Sequence, residues 1–393
     1  MRALIYRYGS ICEPDIMEGF RELSIELFEI DIEIRNKDVL PSKVVEVVGN
    51  FLQNKPVDFV FSVNYYPVLS EICNLFHIRY FSWTVDSPVP EIYSKTIGNE
   101  WNRTFLFDRK QHEDVIAYNP ERIFHLPLGA NPKKMKERIE AMGALNKAEY
   151  AHPIAFVGSL YSEKNPLSKV YGLSPYTEGF LEGVINAQKL VYGSFFAEEI
   201  IPPEVVDEIV QKAPAFEDIM GKETYLTARK LVAQYYLANA VTVKERAELF
   251  TLLSDLFDTH IYTASDTSKY PKLHNHGTCS THGEMPVIFA ESGVNLNPTA
   301  KGIQSGIPLR VFDVLSCEGF LITNYQAELT DCFDVGNDLI AYTSLEECAE
   351  LCAYFGDRPK ERAEIARAGF ETLCQKHTYE LRLATMLTKG FAI

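Results

Sequence analysis

"VDFVFSVNYYPVLSEICNLFHIRYFSWTVD", residues 57–86, sets two near-continuous apolar runs around one helical run. "VDFVFSV" has the length and β-branched content of a strand, "PVLSEICNLF" has apolar residues at helical spacing behind a proline, and "IRYFSWTVD" is extended again. Strands that are apolar on both faces and joined by a helix belong to a parallel sheet covered on both sides. The same alternation runs outward, through "RALIY" (2–6), "CEPDIMEGFRELS" (12–24), "IELFEIDIEI" (25–34) and "KVVEVVGNFLQNK" (43–55) before it, and "RTFLFD" (103–108), "QHEDVIAY" (111–118) and "RIFHLPLG" (122–129) after it.

At 130–150 the character changes. "ANPKKMKERIEAMGALNKAEY" is charged and poor in large apolar residues, which predicts a boundary. "PIAFVGSLYSEKNPLSK" (153–169) then restarts the strand and glycine-turn pattern, and "THIYTAS" (259–265), "VNLNPT" (294–299) and "FLITN" (320–324) continue it. Between them lies a stretch of almost entirely helical pattern. The expected organisation is a first α/β domain over 1–140, a second over 150–377 with a helical insertion at about 172–256, and a closing helix over 378–393. The length, 393 residues, suits two domains of roughly 100–200 residues each.

Hydrophobic residues make up 46% of the chain and charged ones 23%, the balance of a packed globular protein. A net charge of −16 argues against chain-wide binding to nucleic acid or anionic membrane, which needs a basic surface. No run of about 18 apolar residues predicts a membrane span, and "MRALIYRYGS" lacks a signal-peptide pattern, so a cytoplasmic protein is expected. Eight scattered cysteines without a CxxC pair suit reduced, buried thiols.

Ligands of open α/β sheets sit beyond the carboxyl ends of the strands. In the first domain those ends carry Asn64, Tyr65, Tyr66, Trp83 and Asp86. The aromatic rings suit stacking on a sugar or base, or equally a covered sheet edge. Asp86 suits a cap before Pro88, or a general base. In the second domain Gly158 and Ser159 end a strand, with Lys164 five residues on from Ser159 to supply positive charge. "GIQSGIPLRVFDVLSCEGF" (302–320) is a loop opening a short helix, in which Arg310 and Asp313 stand three residues apart. They suit a surface ion pair, or separate contacts to a diphosphate and a ribose. "HNHGTCSTH" (274–282) crowds His274, His276, Cys279 and His282 together, but the spacing fits no common zinc module. These are read as loop histidines, with no metal.

The run from about 286 to 385, with "NLN", "SGIPLRVFD" and "HTYELR", resembles the donor-binding half of bacterial glycosyltransferases of the spore-maturation-protein-like type, with a group 1-like C-terminal domain. The segments "FVFSVNYYPVLSEICNLFHIRYFSWTVDSPVP", "FLFDR" and "IFHLPLGAN" resemble the half beside it. The resemblance implies two Rossmann-like domains facing a cleft (the GT-B architecture), with the last helix crossing back to the first domain. It further implies a nucleotide-sugar donor on the second domain, an acceptor protein or glycan on the first, and no metal requirement. Donor contacts would come from Gly158, Ser159, Lys164, Asn295, Asn297, Ser305, Gly306, Arg310 and Asp313, with Asp86 catalytic and Asn64, Tyr65, Tyr66 and Trp83 on the acceptor side. Asp313 matches the second carboxylate of the family's Glu-x7-Glu pattern. Ser305 stands where the first glutamate would be, and Ser159 stands where a phosphate-binding arginine would be. Those departures keep a second reading in play, a catalytically silent sugar-nucleotide-binding partner of another transferase; a third reading is a nucleotide-sugar epimerase of the same architecture.

Overall fold

The computed structural model describes residues 1–143 and 147–392; residues 144–146, inside the expected boundary stretch, and 393, the end of the expected closing helix, lie outside it. The chain divides into two units. Unit 1 comprises Met1–Asn131, Ile219–Leu226 and His377–Ile393, and unit 2 comprises Pro132–Asp218 and Thr227–Lys376.

Unit 1 carries strands β1 (Arg2–Tyr6), β2 (Glu26–Ile30), β3 (Phe59–Val63), β4 (Arg79–Trp83), β5 (Asn102–Leu106) and β6 (Ile123–His125), all parallel in the order β2-β1-β3-β4-β5-β6. Every residue of β3 and β5 is buried, as strands covered on both faces must be. The closing helix Tyr379–Phe391 packs on this sheet. Gly390 lies so close to the Phe81 ring that no Cβ would fit between them, and Arg103 Nε donates to the Gly390 carbonyl at 2.8 Å. Within the same unit the Ile219–Leu226 segment is held by stacking of Tyr225 on Tyr118, with ring centroids 3.8 Å apart, and by the Lys95–Glu223 ion pair.

Unit 2 carries β7 (Ile154–Val157), β8 (Thr259–Tyr262), β9 (His274–Asn275), β10 (Val294–Asn297), β11 (Leu321–Asn324) and β12 (Ile340–Tyr342). They too are all parallel, in the order β12-β11-β10-β7-β8-β9. Counted from β7, that is the 3-2-1-4-5-6 order of dinucleotide-binding folds. Of the helical stretch at 172–256, the last helix, Ala238–Leu256, is the crossover from β7 to β8. Its Leu249, Phe250 and Leu253 pack with Phe156 and Ile261 of those strands. Among the described residues no helix is long and apolar enough to cross a membrane.

Candidate active site

The strand order of each sheet reverses at one place, and the crevice beyond the carboxyl ends there is where ligands settle. In unit 1 the reversal lies between β1 and β3, and a hollow of about 410 Å³ opens beside it, lined by Tyr8, Asn64, Tyr66, Asp86 and Glu91 among others. Asn64 follows β3 with φ of 59°, a left-handed conformation that asparagine tolerates better than most residues. That turn aims its amide across the hollow. Nδ2 donates to Asp86 Oδ2 at 2.8 Å and to the Tyr8 hydroxyl at 3.1 Å, while Oδ1 accepts from the Val85 amide at 3.0 Å.

Asp86 is exposed, and among the described residues its Oδ1 accepts no hydrogen bond, which leaves that oxygen open to a ligand. It makes no capping bond to the turn before Pro88. Tyr66 donates to Glu33 at 3.1 Å, and burial followed by the Glu33 charge raises its pKa. Glu91, which the sequence did not single out, lies in the same hollow. Desolvation and then the Asp86 charge raise its pKa, although the residue is exposed overall.

Two expected acceptor-side residues are turned inward. Trp83 has no exposed surface; its Nε1 donates to the Leu126 carbonyl at 3.1 Å and its ring meets Tyr379 edge-on. Tyr65 is 1% exposed, its hydroxyl bonded to Thr96 at 2.8 Å. Neither presents a ring face for stacking on a sugar.

In unit 2 the reversal lies between β7 and β10. Arg246, from the crossover helix, spans it. Nη1 donates to the Ser159 carbonyl after β7, and Nη2 to the Pro298 carbonyl after β10 at 2.5 Å. Its guanidinium lies 4.7 Å from the Tyr161 ring centroid, and burial lowers its pKa. Beside it Lys301 and Glu245 form a buried ion pair at 3.3 Å, in which burial weakens the charged form of both. None of these residues was anticipated. The available signal was "VTVKERAELF" (241–250), where Glu245 stands four residues from Val241 and from Leu249 on the apolar face.

The helix Leu309–Ser316 begins after β10 with no side chain capping its N-terminus, so backbone N–H groups are offered to the crevice. Arg310 lies on the Phe289 ring, 5.0 Å from its centroid, with Nη1 2.8 Å from Met285 Sδ, and makes no ion pair among the described residues. The surface pair with Asp313 is therefore not formed. Asp313 is buried, and Ser316 donates to its carbonyl at 2.7 Å. Ser305, where the family pattern calls for glutamate, donates to Glu328 Oε1 at 2.7 Å. A carboxylate from another segment thus stands at that loop, beside the buried Gly306.

Other expected donor residues do structural work. Asn295 donates to the Phe289 and Phe320 carbonyls, and Asn297 to Thr299 and Thr323, both inside the sheet. Gly158 continues the ladder to Tyr262, Ser159 donates to Glu163 at 2.6 Å, and the exposed Lys164 lies over the Tyr161 ring at 5.1 Å.

Residues 243–388, which contain Arg246, Lys301, Arg310, Asp313 and Glu328, match the family model described as "Glycosyl transferase-like". That stretch, 146 of the 393 residues, is glycosyltransferase-like in sequence. No curated protein matches the chain in sequence. Among solved structures, the UDP-forming α,α-trehalose-phosphate synthase of Burkholderia vietnamiensis is similar at a TM-score of 0.54 and 10% identity, over 100% of this chain and 99% of that one. Sucrose-phosphate synthase of Thermosynechococcus elongatus is similar at 0.52 and 10%, over 100% and 99%. Anabaena Alr3699/HepE, crystallised with UDP and glucose, is similar at 0.51 and 11%, over 100% of both chains. The shared feature is the fold, the two-domain α/β architecture of GT-B glycosyltransferases.

Proposed function

We propose that the chain moves a sugar from a nucleotide-sugar donor to an acceptor hydroxyl on a protein or a glycan, without a metal, in the manner of the spore-maturation-protein-like group. The observation that carries this reading is the uncapped start of Leu309–Ser316 beside Arg310 and Arg246, at the strand-order reversal of the domain matched by the family model. A departing nucleoside diphosphate gathers negative charge, and oriented N–H groups with nearby guanidinium groups stabilise it. Arg310, which has no anionic partner among the described residues, meets the phosphates, and Asp313 accepts from the ribose. Uridine is the first base to try, because the Anabaena protein was crystallised with UDP and the trehalose-phosphate synthase is UDP-forming. On unit 1, Asp86 Oδ1 takes the acceptor proton while Asn64 holds the other oxygen. A cytoplasmic location fits this donor chemistry.

Calorimetric titration with UDP-, GDP-, ADP- and dTDP-sugars tests the reading. One donor is expected to bind, with affinity about tenfold weaker in Arg310→Ala, the loss of roughly one charge-assisted contact. No binding by any of them, or equal binding by Arg310→Ala and Asp313→Ala, removes the proposal. Ser159 bonded to the Glu163 carboxylate favours a second reading, a silent donor-binding partner, since it sets an anion near the phosphate position. Donor hydrolysis or transfer that disappears in Asp86→Asn disposes of that one.

A further inference from the structure

We propose that His152, His260 and His276 form a binding site for a late first-row divalent cation such as zinc. The histidine-rich run at 274–282 lacks ligands when read alone, but the fold brings it two more histidines from distant segments. His260 lies on β8 in register with His274 on β9, His276 follows two residues later on the same face, and His152 enters from the segment just before β7. One ring nitrogen from each of His152, His260 and His276 lies within 4.8 Å of the others. Cys279 and His282 are not members of the group.

The hydrogen bonds assign the roles. His260 Nε2 faces Asp258 Oδ1 at 3.1 Å, a carboxylate that accepts and so keeps the proton on Nε2. His260 Nδ1 is then a lone pair, and at 2.8 Å it receives the N–H of His276 Nε2. Those two rings are only 10° from parallel with centroids 5.1 Å apart, so the two nitrogens point at each other. A cation bound at about 2.0–2.1 Å from each nitrogen would hold them roughly 3.3 Å apart. That is an opening of about half an ångström, with the His276 proton moving to Nδ1 and no net change in charge on the rings. Asp258 then acts as the outer carboxylate that orients a ligating imidazole. His152 is buried, with one nitrogen 2.7 Å from the Tyr262 hydroxyl and its ring stacked face-on over His260, centroids 3.9 Å apart and 15° from parallel, so it must turn its edge toward the pair to become the third ligand, whereas His276 is exposed at the entrance. Imidazole ligands select zinc, nickel or copper over magnesium or calcium. The site lies on β8, on the edge strand β9 and just before β7, and it uses none of the residues proposed to contact the donor.

The test is calorimetric titration of Zn2+ into the chelator-treated full chain, without a polyhistidine tag, paired with the visible spectrum of the Co2+ form. One equivalent of zinc should bind at micromolar affinity or tighter. His260→Ala and His276→Ala should each weaken it about a hundredfold, and Asp258→Asn about tenfold, all with unchanged far-UV circular dichroism. No saturable binding at one equivalent, or full affinity in either alanine variant, overturns the proposal. Donor titration of His276→Ala should match the unaltered chain, which separates this site from the transferase reading.

Discussion

Each unit presents backbone N–H groups beside its strand-order reversal, and the two dispose of them differently. In unit 1 the turn after β1 is closed by its own carboxylate. Glu13, 1% exposed, accepts from the amides of Tyr8 and Gly9 at 3.0 and 3.1 Å and from Arg7 Nε at 3.2 Å. In unit 2 the helix after β10 begins without a cap, and the nearby side chains are Arg310 and Arg246. Both sheets are six-stranded, parallel and doubly wound, so the architecture alone does not say which one takes a nucleotide. The internal anion in one and the uncapped helix start beside Arg310 and Arg246 in the other are why the nucleotide is proposed to sit on unit 2.

The largest expected effect comes from emptying the filled turn. Glu13→Ala removes the acceptor of the Tyr8 and Gly9 amides and one of the two carboxylates on Arg7, which keeps Glu29 at 2.7 Å, and should cost about 2–4 kcal/mol. Both tryptophans, Trp83 and Trp101, belong to unit 1, so denaturant melting followed by their fluorescence reads that unit alone. A loss under about 1 kcal/mol would show that the carboxylate does not hold the turn.

Asp86→Asn carries the next largest effect and acts on activity without acting on stability. Removing the proposed general base should lower turnover of donor by about 10²–10⁴. The residue is exposed, so the fluorescence-detected melt should move by less than about 0.5 kcal/mol. Near-normal turnover would remove Asp86 from the mechanism.

Ser305→Ala sharpens the unit 2 side. It removes the hydroxyl that donates to the buried Glu328, 2% exposed, and should destabilise unit 2 by about 1–2 kcal/mol, seen by circular dichroism while tryptophan fluorescence is unaffected.

The smallest effect is a local one in pH. Glu208 accepts from Lys212, Thr177, and the Ser174 amide and hydroxyl, and those bonds hold its pKa down to about 2 from 4.5. A depressed carboxylate contributes stability that is fully present above pH 4.5 and is lost as pH falls toward 2. Hydrogen exchange at the start of the Pro175–Gln188 helix should therefore quicken over that window, and Glu208→Gln should flatten the dependence.

Legibility in the sequence varied by kind of residue. The pairing of Asn64 with Asp86 was anticipated only as a shared strand-end position; the left-handed turn at Asn64 is what joins them. Trp83 and Asn297 end their strands, Tyr65 follows one and Asn295 lies within one, yet all four face inward. A strand buried on both faces has no polar and apolar alternation, so nothing in its pattern tells which way a given side chain turns. Arg246 and Glu245 escaped notice because a charged pair in a helix ordinarily reads as a solvated face. The crossover helix Ala238–Leu256 merged with the insertion before it for a similar reason: helical periodicity does not report what a helix packs on.

What the sequence determined by itself is the alternation of buried strand and helix in two successive runs, because burial on two faces demands continuous apolar segments and helices demand a period near 3.6. It also marked the loop and helix at 302–320. Only the tertiary structure decided which carboxylate stands beside Ser305, what Arg246 joins, and which histidines meet across β8 and β9. Those contacts join residues 23, 87 and 16 positions apart. Strand order and register bring them together, and local spacing carries no trace of either.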